Sequence, residues 1–381
     1  MSETGRGLRL LMITQELSTD SSILGFAHLW AGELAGLVDQ VHVIAASTGA
    51  VDLPPNVTVH GLGKERGRGR ASRWPLLLGR CLQLIGGGRV DGVLAHMVPA
   101  YAVAAAPWCI ARRTPLVLWY ASHGLTRTLR AGVKLSSATI TSAPESYPLP
   151  SPSAFIVGQG IDTARLAAMP IRPAPPARPV IGVAGRITPL KGLTTVIEAV
   201  ARLRDDGLPV ELRVAGEPFY PSDHAYLAEV HERVRQAELT EHVTFLGGLP
   251  STAMPEFYAG LDAFVAWRSG TSLDKTGLEA LAAGTLLVTN NVVYRAALGE
   301  FAGDFLLESS PEDLADGLRR ALALQPSQRT ATIEQLRQTV IENHAASGLA
   351  GRLVKVFTAL REGREPPFTR TATAAKVGEG V

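Results

Sequence analysis

The run Val180-Ile-Gly-Val-Ala-Gly-Arg-Ile-Thr-Pro-Leu-Lys-Gly-Leu193 reads as a buried strand that turns through glycine, passes two cations and enters a helix. Val180 to Ala184 have the composition of a parallel strand covered on both faces. Gly185 allows a close backbone turn, and Gly192 precedes Leu193, Val196, Ile197, Val200 and Leu203 at helical spacing. Arg186 and Lys191 therefore fall just beyond the carboxyl end of a strand, where open α/β sheets bind ligands. Two cations beside free backbone N–H groups suit a diphosphate. Solvated loop cations are the plainer reading of this segment alone, and the rest of the chain weighs against it.

Working outward, the same alternation recurs on both sides. Upstream, strands are expected at Leu8–Thr14, Gln40–Ala46, Val57–Leu62, Val90–Ala95, Pro115–Tyr120, Ala138–Thr141 and Ala154–Val157. Helical patterns at Ile23–Leu37, Trp74–Gly86 and Ala100–Arg112 lie between them. Downstream, strands at Val180–Ala184, Glu211–Ala215, Val243–Leu246, Ala263–Trp267 and Leu286–Thr289 alternate with helices. Strands alternating with helices imply parallel, doubly wound sheets. The expected fold class is α/β, with two Rossmann-like domains facing across a cleft. Pro170, Pro173, Pro175, Pro176 and Pro179 cannot continue a helix or sit inside a sheet, so 169–179 reads as the connector. That sets an N-terminal domain at 1–168 and a C-terminal one at 180–344. A final helix at 345–362 and a polar, disordered tail at 363–381 follow.

Composition narrows the partners. A net charge of +2 gives no global field for nucleic acid. Cys81 and Cys109 stand in apolar surroundings without metal-type spacing and read as buried thiols. The start is polar, and no run approaches the roughly 18 apolar residues of a membrane span. The expectation is a cytoplasmic protein. Lys64-Glu-Arg-Gly-Arg-Gly-Arg-Ala-Ser-Arg-Trp74 nevertheless carries five cations against one carboxylate and ends in tryptophan. That pattern suits peripheral contact with an anionic membrane at its inner face, or a solvated loop.

Further candidate residues fall at strand ends. Thr14 to Gly25 follows the first strand without a GxGxxG fingerprint, and Ser22 and Gly25 offer anion-binding donors at a helix start. His96 and His123 follow two strands, where a ring can bond a sugar hydroxyl or phosphate. Gly216 and Glu217 end another strand. Gly270, Thr271, Ser272, Leu273 and Asp274 form a phosphate-friendly turn into a helix. Glu279 sits among Leu278, Ala280, Leu281 and Ala282, where a solvated face does not explain it; a carboxylate there can accept both hydroxyls of a ribose. There is no Asp-x-Asp motif, so no metal is expected.

At these residues the chain resembles the retaining glycosyltransferases of the GT-B fold, the group containing glycogen synthases and lipid-linked mannosyltransferases. The resemblance runs through His123, Gly160-Ile-Asp162, Gly185-Arg186, Lys191-Gly192, Ala215-Gly216, Phe245-Leu-Gly247 and Leu278-Glu-Ala-Leu-Ala-Ala-Gly284. It implies that Arg186 and Lys191 bind a donor diphosphate and Glu279 its ribose. Thr244 to Leu246 would then lie against the base and His123 on the catalytic side; His96 and Ser22, by their own places at a strand end and a helix start, read as the acceptor or sugar side. The last helix would cross back onto the N-terminal domain. The implied activity is retaining transfer from a UDP- or GDP-linked sugar, the nucleotide sugar being substrate and no cofactor being required. The chain departs from the family at Thr271, where a second glutamate usually stands near the donor sugar. A non-catalytic nucleotide-sugar-binding or scaffold protein on the same fold is the alternative; an epimerase has no positive support.

Overall fold

The computed structural model describes residues 7–21, 25–149 and 154–371. They form two α/β units. One comprises the residues up to Gly160 together with those from Ala346 onward, the other Ile161–Ala345.

The first unit is built on β1 (Arg9–Leu17), β2 (Gln40–Thr48), β3 (Val57–Gly61), β4 (Gly92–His96), β5 (Leu116–Trp119), β6 (Ala138–Thr141) and β7 (Phe155–Ile156). All pair in parallel, in the order β3-β2-β1-β4-β5-β6-β7. The order reverses between β1 and β4, and in a doubly wound sheet that switch leaves a crevice at the strands' carboxyl ends. The second unit repeats the scheme with β8 (Val180–Ala184), β9 (Glu211–Ala215), β10 (Val243–Gly247), β11 (Ala263–Ala266) and β12 (Leu286–Thr289). Its order is β10-β9-β8-β11-β12, with the switch between β8 and β11. Every residue of β4, β5, β6, β8 and β12 is buried, as expected of strands covered on both faces.

The last helix, Ala346–Arg361, belongs to the first unit. Its stripe of Leu349, Leu353, Val356 and Phe357 is buried against the core that holds Trp30 and Trp119, whose rings meet edge-on at 4.7 Å. Each such side chain contributes about 1.5–3 kcal/mol relative to exposure.

Three segments differ from the sequence reading. The helix expected at Trp74–Gly86 starts earlier, at Arg70, and runs to Cys81, with a π-helical stretch carrying it on to Gly86. Its first turn is polar and basic, so apolar periodicity could not reveal it. A helix at Arg127–Leu135, between β5 and β6, has no continuous apolar run to announce it, because three cations interrupt its apolar positions. Thr126 Oγ1 caps it, accepting from Leu129 N at 3.0 Å. Finally, residues 169–179 lie inside the second unit. The fully buried Asp262 accepts from Arg172 Nη1 at 3.1 and 3.2 Å and from Val180 N at 2.7 Å. The buried Arg329 reaches the Arg172 carbonyl with Nε and the Asp262 carbonyl with Nη2. Proline content shows an extended path but not that Arg172 has a buried partner.

Of the expected tail, residues through Thr371 are described. Arg370 forms an antiparallel bridge with Phe155, and Thr371 N donates to the Ala154 carbonyl. Residues 372–381 lie outside the described residues.

Candidate functional site

In the second unit the ends of three adjacent strands are stitched together. Gly185 N donates to Ala215 O at 2.9 Å and Gly216 N to Gly247 O at 2.7 Å. A Cβ on Gly216 would stand 1.9 Å from Gly185 O, so only glycine lets the two turns meet. Gly185 itself has φ +117°. A Cβ there would lie 3.3 Å from Lys191 Nζ, which places the ammonium directly over the glycine turn.

From the other side of the switch comes the loop after β11. Lys191 Nζ donates to Asp274 Oδ2 at 2.7 Å, and Arg268 Nη1 donates to both Asp274 oxygens at 3.1 and 3.0 Å. Two cations thus share one carboxylate, and the cluster keeps a positive excess. Burial pulls the Asp274 carboxyl up, but Lys191 and Arg268 together outweigh it and hold it below the usual range. The loop is fastened to the segment after β12. Arg268 and Asn290 exchange two hydrogen bonds, Asn291 Nδ2 donates to Ser272 O, and Tyr294 OH donates to Asp274 O at 2.6 Å. Arg186 stands 5.3 Å from the Tyr220 ring centroid, with Nε 3.8 Å from Asp223 Oδ2.

Glu279 lies on the helix Lys275–Ala283, one turn after Lys275. It is half-buried and accepts from Tyr258 OH at 2.8 Å. Burial pushes its carboxyl up, against the opposing pull of the Tyr258 hydroxyl and Lys275, and pushes the Lys275 ammonium well down. Glu217 is exposed and accepts from Gly248 N at 3.0 Å. Thr244 and Leu246 are exposed on one face of the edge strand β10, whose register slips between Phe245 and Gly247. Gly270 has φ +100°, Thr271 and Ser272 are half-buried, and Leu273 is buried.

The structure therefore brings Gly185, Gly216, Lys191 and Asp274 into one cluster. The sequence reading missed Arg268, Tyr258 and Asn290. Arg268 had a signal, since it follows β11 as Arg186 follows β8; Tyr258 had none, because only the packed fold sets it beside Glu279.

The remaining candidates lie in the first unit. His123 is exposed in the loop after β5. Gly25 opens the helix Phe26–Ala35. His96 requires a correction. It is 2% exposed, its Nδ1 pairs with Thr14 Oγ1 at 3.0 Å, and its ring meets Phe26 and Trp30 edge-on. It is a core histidine and presents no ring to a ligand. Ser22 lies outside the described residues. Among the described residues no group of three or more His, Cys, Asp or Glu could hold a metal ion, and no helix is long and apolar enough to cross a membrane. Cys81 and Cys109 are buried free thiols, each pushed up to about 12 by burial.

Two doubly wound units of this kind are the GT-B fold class, and solved structures agree. The chain superposes on sucrose-phosphate synthase from Thermosynechococcus elongatus with a TM-score of 0.73 at 14% identity, covering 93% of this chain and 100% of that one. It superposes on Anabaena Alr3699/HepE in complex with UDP and glucose with a TM-score of 0.69 at 17% identity, covering 92% and 100%. Residues 166–339, nearly all of the second unit, match the family model described as Glycosyl transferases group 1, so the resemblance read from the sequence holds over that segment. The 2-deoxystreptamine glucosyltransferase of Streptomyces kanamyceticus is 34% identical over 107 residues, 28% of this chain and 26% of that protein. The lipopolysaccharide core biosynthesis mannosyltransferase LpsB of Rhizobium meliloti is 31% identical over 121 residues, 31% of this chain and 32% of that protein. The match thus spans about a quarter to a third of the length of these two curated relatives.

Proposed function

We propose that this protein is a retaining glycosyltransferase. It moves a hexose from a UDP- or GDP-linked donor to an acceptor hydroxyl on a glycan or lipid-linked glycan. The observation that carries this reading is the Lys191–Asp274–Arg268 cluster over the Gly185 turn, at the switch point of the second sheet. The glucosyl- and mannosyltransferase activities in the relatives' names point the same way.

In the reaction, the bond from the anomeric carbon to the diphosphate oxygen breaks and a bond to the acceptor oxygen forms. The acceptor's proton leaves with the departing diphosphate. Charge therefore grows on the phosphate oxygens, and Lys191 and Arg186 stabilise it where it develops. Cations of the protein take the part that a divalent ion plays elsewhere. Release of nucleoside diphosphate from a panel of UDP-, GDP- and ADP-sugars tests the activity, and turnover should be unchanged by EDTA. A strict requirement for Mg²⁺ would contradict the assignment of charge neutralisation to the protein.

Glu279 is the proposed ribose ligand. Glu279→Gln replaces a carboxylate that accepts twice with an amide offering one acceptor, so nucleoside diphosphate affinity should fall roughly tenfold while pyrophosphate affinity stays. Because burial raises this carboxyl, protonation should begin to weaken nucleotide binding at a pH above the usual glutamate range of about 4.3. That acid limb should vanish in the variant. Equal nucleotide affinity of variant and wild type would make Glu279 structural.

Peripheral contact with an anionic membrane is supported by the helix Arg70–Cys81 and the turn after it. Trp74, Leu78 and Leu82 follow at helical spacing and are all exposed, beside Arg70 and Arg73. A nucleotide-sugar-binding protein without turnover is the second reading, favoured by Thr271 and by Lys191 already holding a carboxylate. Tight donor binding with no nucleotide release would select it.

A further inference from the structure

The first sheet has its own switch-point recess, of about 550 Å³, and its lining has an unusual charge. Gln15 of β1, Ala46 of β2, and Val98 and Tyr101 just after β4 form the strand-end side. Lys64, Arg70, Arg73 and Trp74 close the other side. Among the described residues no carboxylate lines the recess. Among the described residues, none forms an ion pair with Lys64, Arg70 or Arg73. The one carboxylate in that stretch, Glu65, is turned away, accepting from Thr48 N and Oγ1 and facing Arg66. Three uncompensated cations around one concavity repel each other, and an anion in the recess relieves that. Tyr101 and Gln15 supply hydroxyl and amide partners, and Trp74 an apolar face, beside the charge.

We infer that this recess seats the acceptor by a phosphate group, the acceptor being a phosphorylated sugar or polyol, free or as a lipid headgroup. The identification as acceptor rests on the glycosyltransferase reading; the phosphate site stands on the recess itself. A volume of this size holds a monosaccharide phosphate with room to spare. Phosphate, with its charge and several acceptor oxygens, matches a set of Lys and Arg donors better than a neutral sugar does.

The test must separate this recess from the donor cluster, which also binds phosphate. Arginine modification by phenylglyoxal, mapped residue by residue by mass spectrometry, does so. Inorganic phosphate and glucose 6-phosphate are expected to slow modification of Arg70 and Arg73 several-fold. Arg66 and Arg68, in the same stretch but outside the lining, should be unaffected, and glucose should protect none. Phosphatidylglycerol vesicles protecting Arg70 and Arg73 selectively, where the free phosphates do not, would assign the phosphate to a lipid headgroup and uphold the site. Equal protection of all four arginines by vesicles, or protection of none by any probe, would overturn it. UDP should protect Arg186 in the same samples. Failure of that arm alone would count against the donor reading and leave the phosphate recess standing.

Discussion

Lys191→Ala is expected to lower turnover by about 10²–10³-fold, the loss of about 2.7–4 kcal/mol seen when one donor to a developing oxyanion is removed. The geometry shows why this one charge matters. With Lys191 gone, Arg268 and Asp274 become a balanced pair, and the positive excess at the Gly185 turn disappears. Asp274→Asn is the matching opposite. It leaves Lys191 and Arg268 uncompensated, so affinity for nucleoside diphosphate should rise. The fold should tolerate both changes, because Lys191 and Asp274 keep part of their side chains in water. Steady-state kinetics and direct titration of nucleotide check the pair. Near-normal turnover in Lys191→Ala would remove the diphosphate assignment.

The largest effect on stability is expected at Arg172, far from the chemistry. Asp262 is fully buried, and Arg172 is its charge partner. Arg172→Ala strands that carboxylate and should cost about 3 kcal/mol, the lower end for breaking a buried pair. The lower end applies because the buried Arg329 guanidinium remains nearby, bonded to the Asp262 carbonyl. Asp262→Asn should cost less, since the guanidinium freed from it is about one-third exposed and can rehydrate. Denaturant unfolding measures both. A smaller loss for Arg172→Ala than for Asp262→Asn would mean the pair does not hold the 169–179 segment to its unit.

Much of this architecture is legible in the chain. Each of the twelve strands among the described residues falls on a run legible in the sequence, and those covered on both faces, Val180–Ala184 above all, read as unbroken apolar runs, whereas the edge strands β3 and β10 alternate because one face stays open. Gly185, Gly216 and Lys191 are readable because glycines at strand ends, the first of them followed by two cations, carry a mechanism with them. What is not readable is anything decided by packing across distant segments. Asp274 reads from the sequence as part of a phosphate-friendly turn, but not as the carboxylate that bridges two cations, one of them 83 positions away. His96 had the right position at a strand's end, but Thr14, Phe26 and Trp30 close over it. The basic stretch read as a loop or membrane patch because its charges hide a helix start, and only the fold shows that Arg70 and Arg73 line a recess while Arg66 does not.

The proposed function requires that the second unit bind a nucleoside diphosphate through its strand-end cations. Calorimetric titration of UDP and GDP into wild-type protein and Lys191→Ala, without metal, measures this binding. Saturable binding of one of the two nucleotides to the wild type is expected, with a loss of at least about tenfold in affinity in the variant, the size of a charged hydrogen bond. No binding of either nucleotide to the wild type, or binding unchanged by Lys191→Ala, would contradict it.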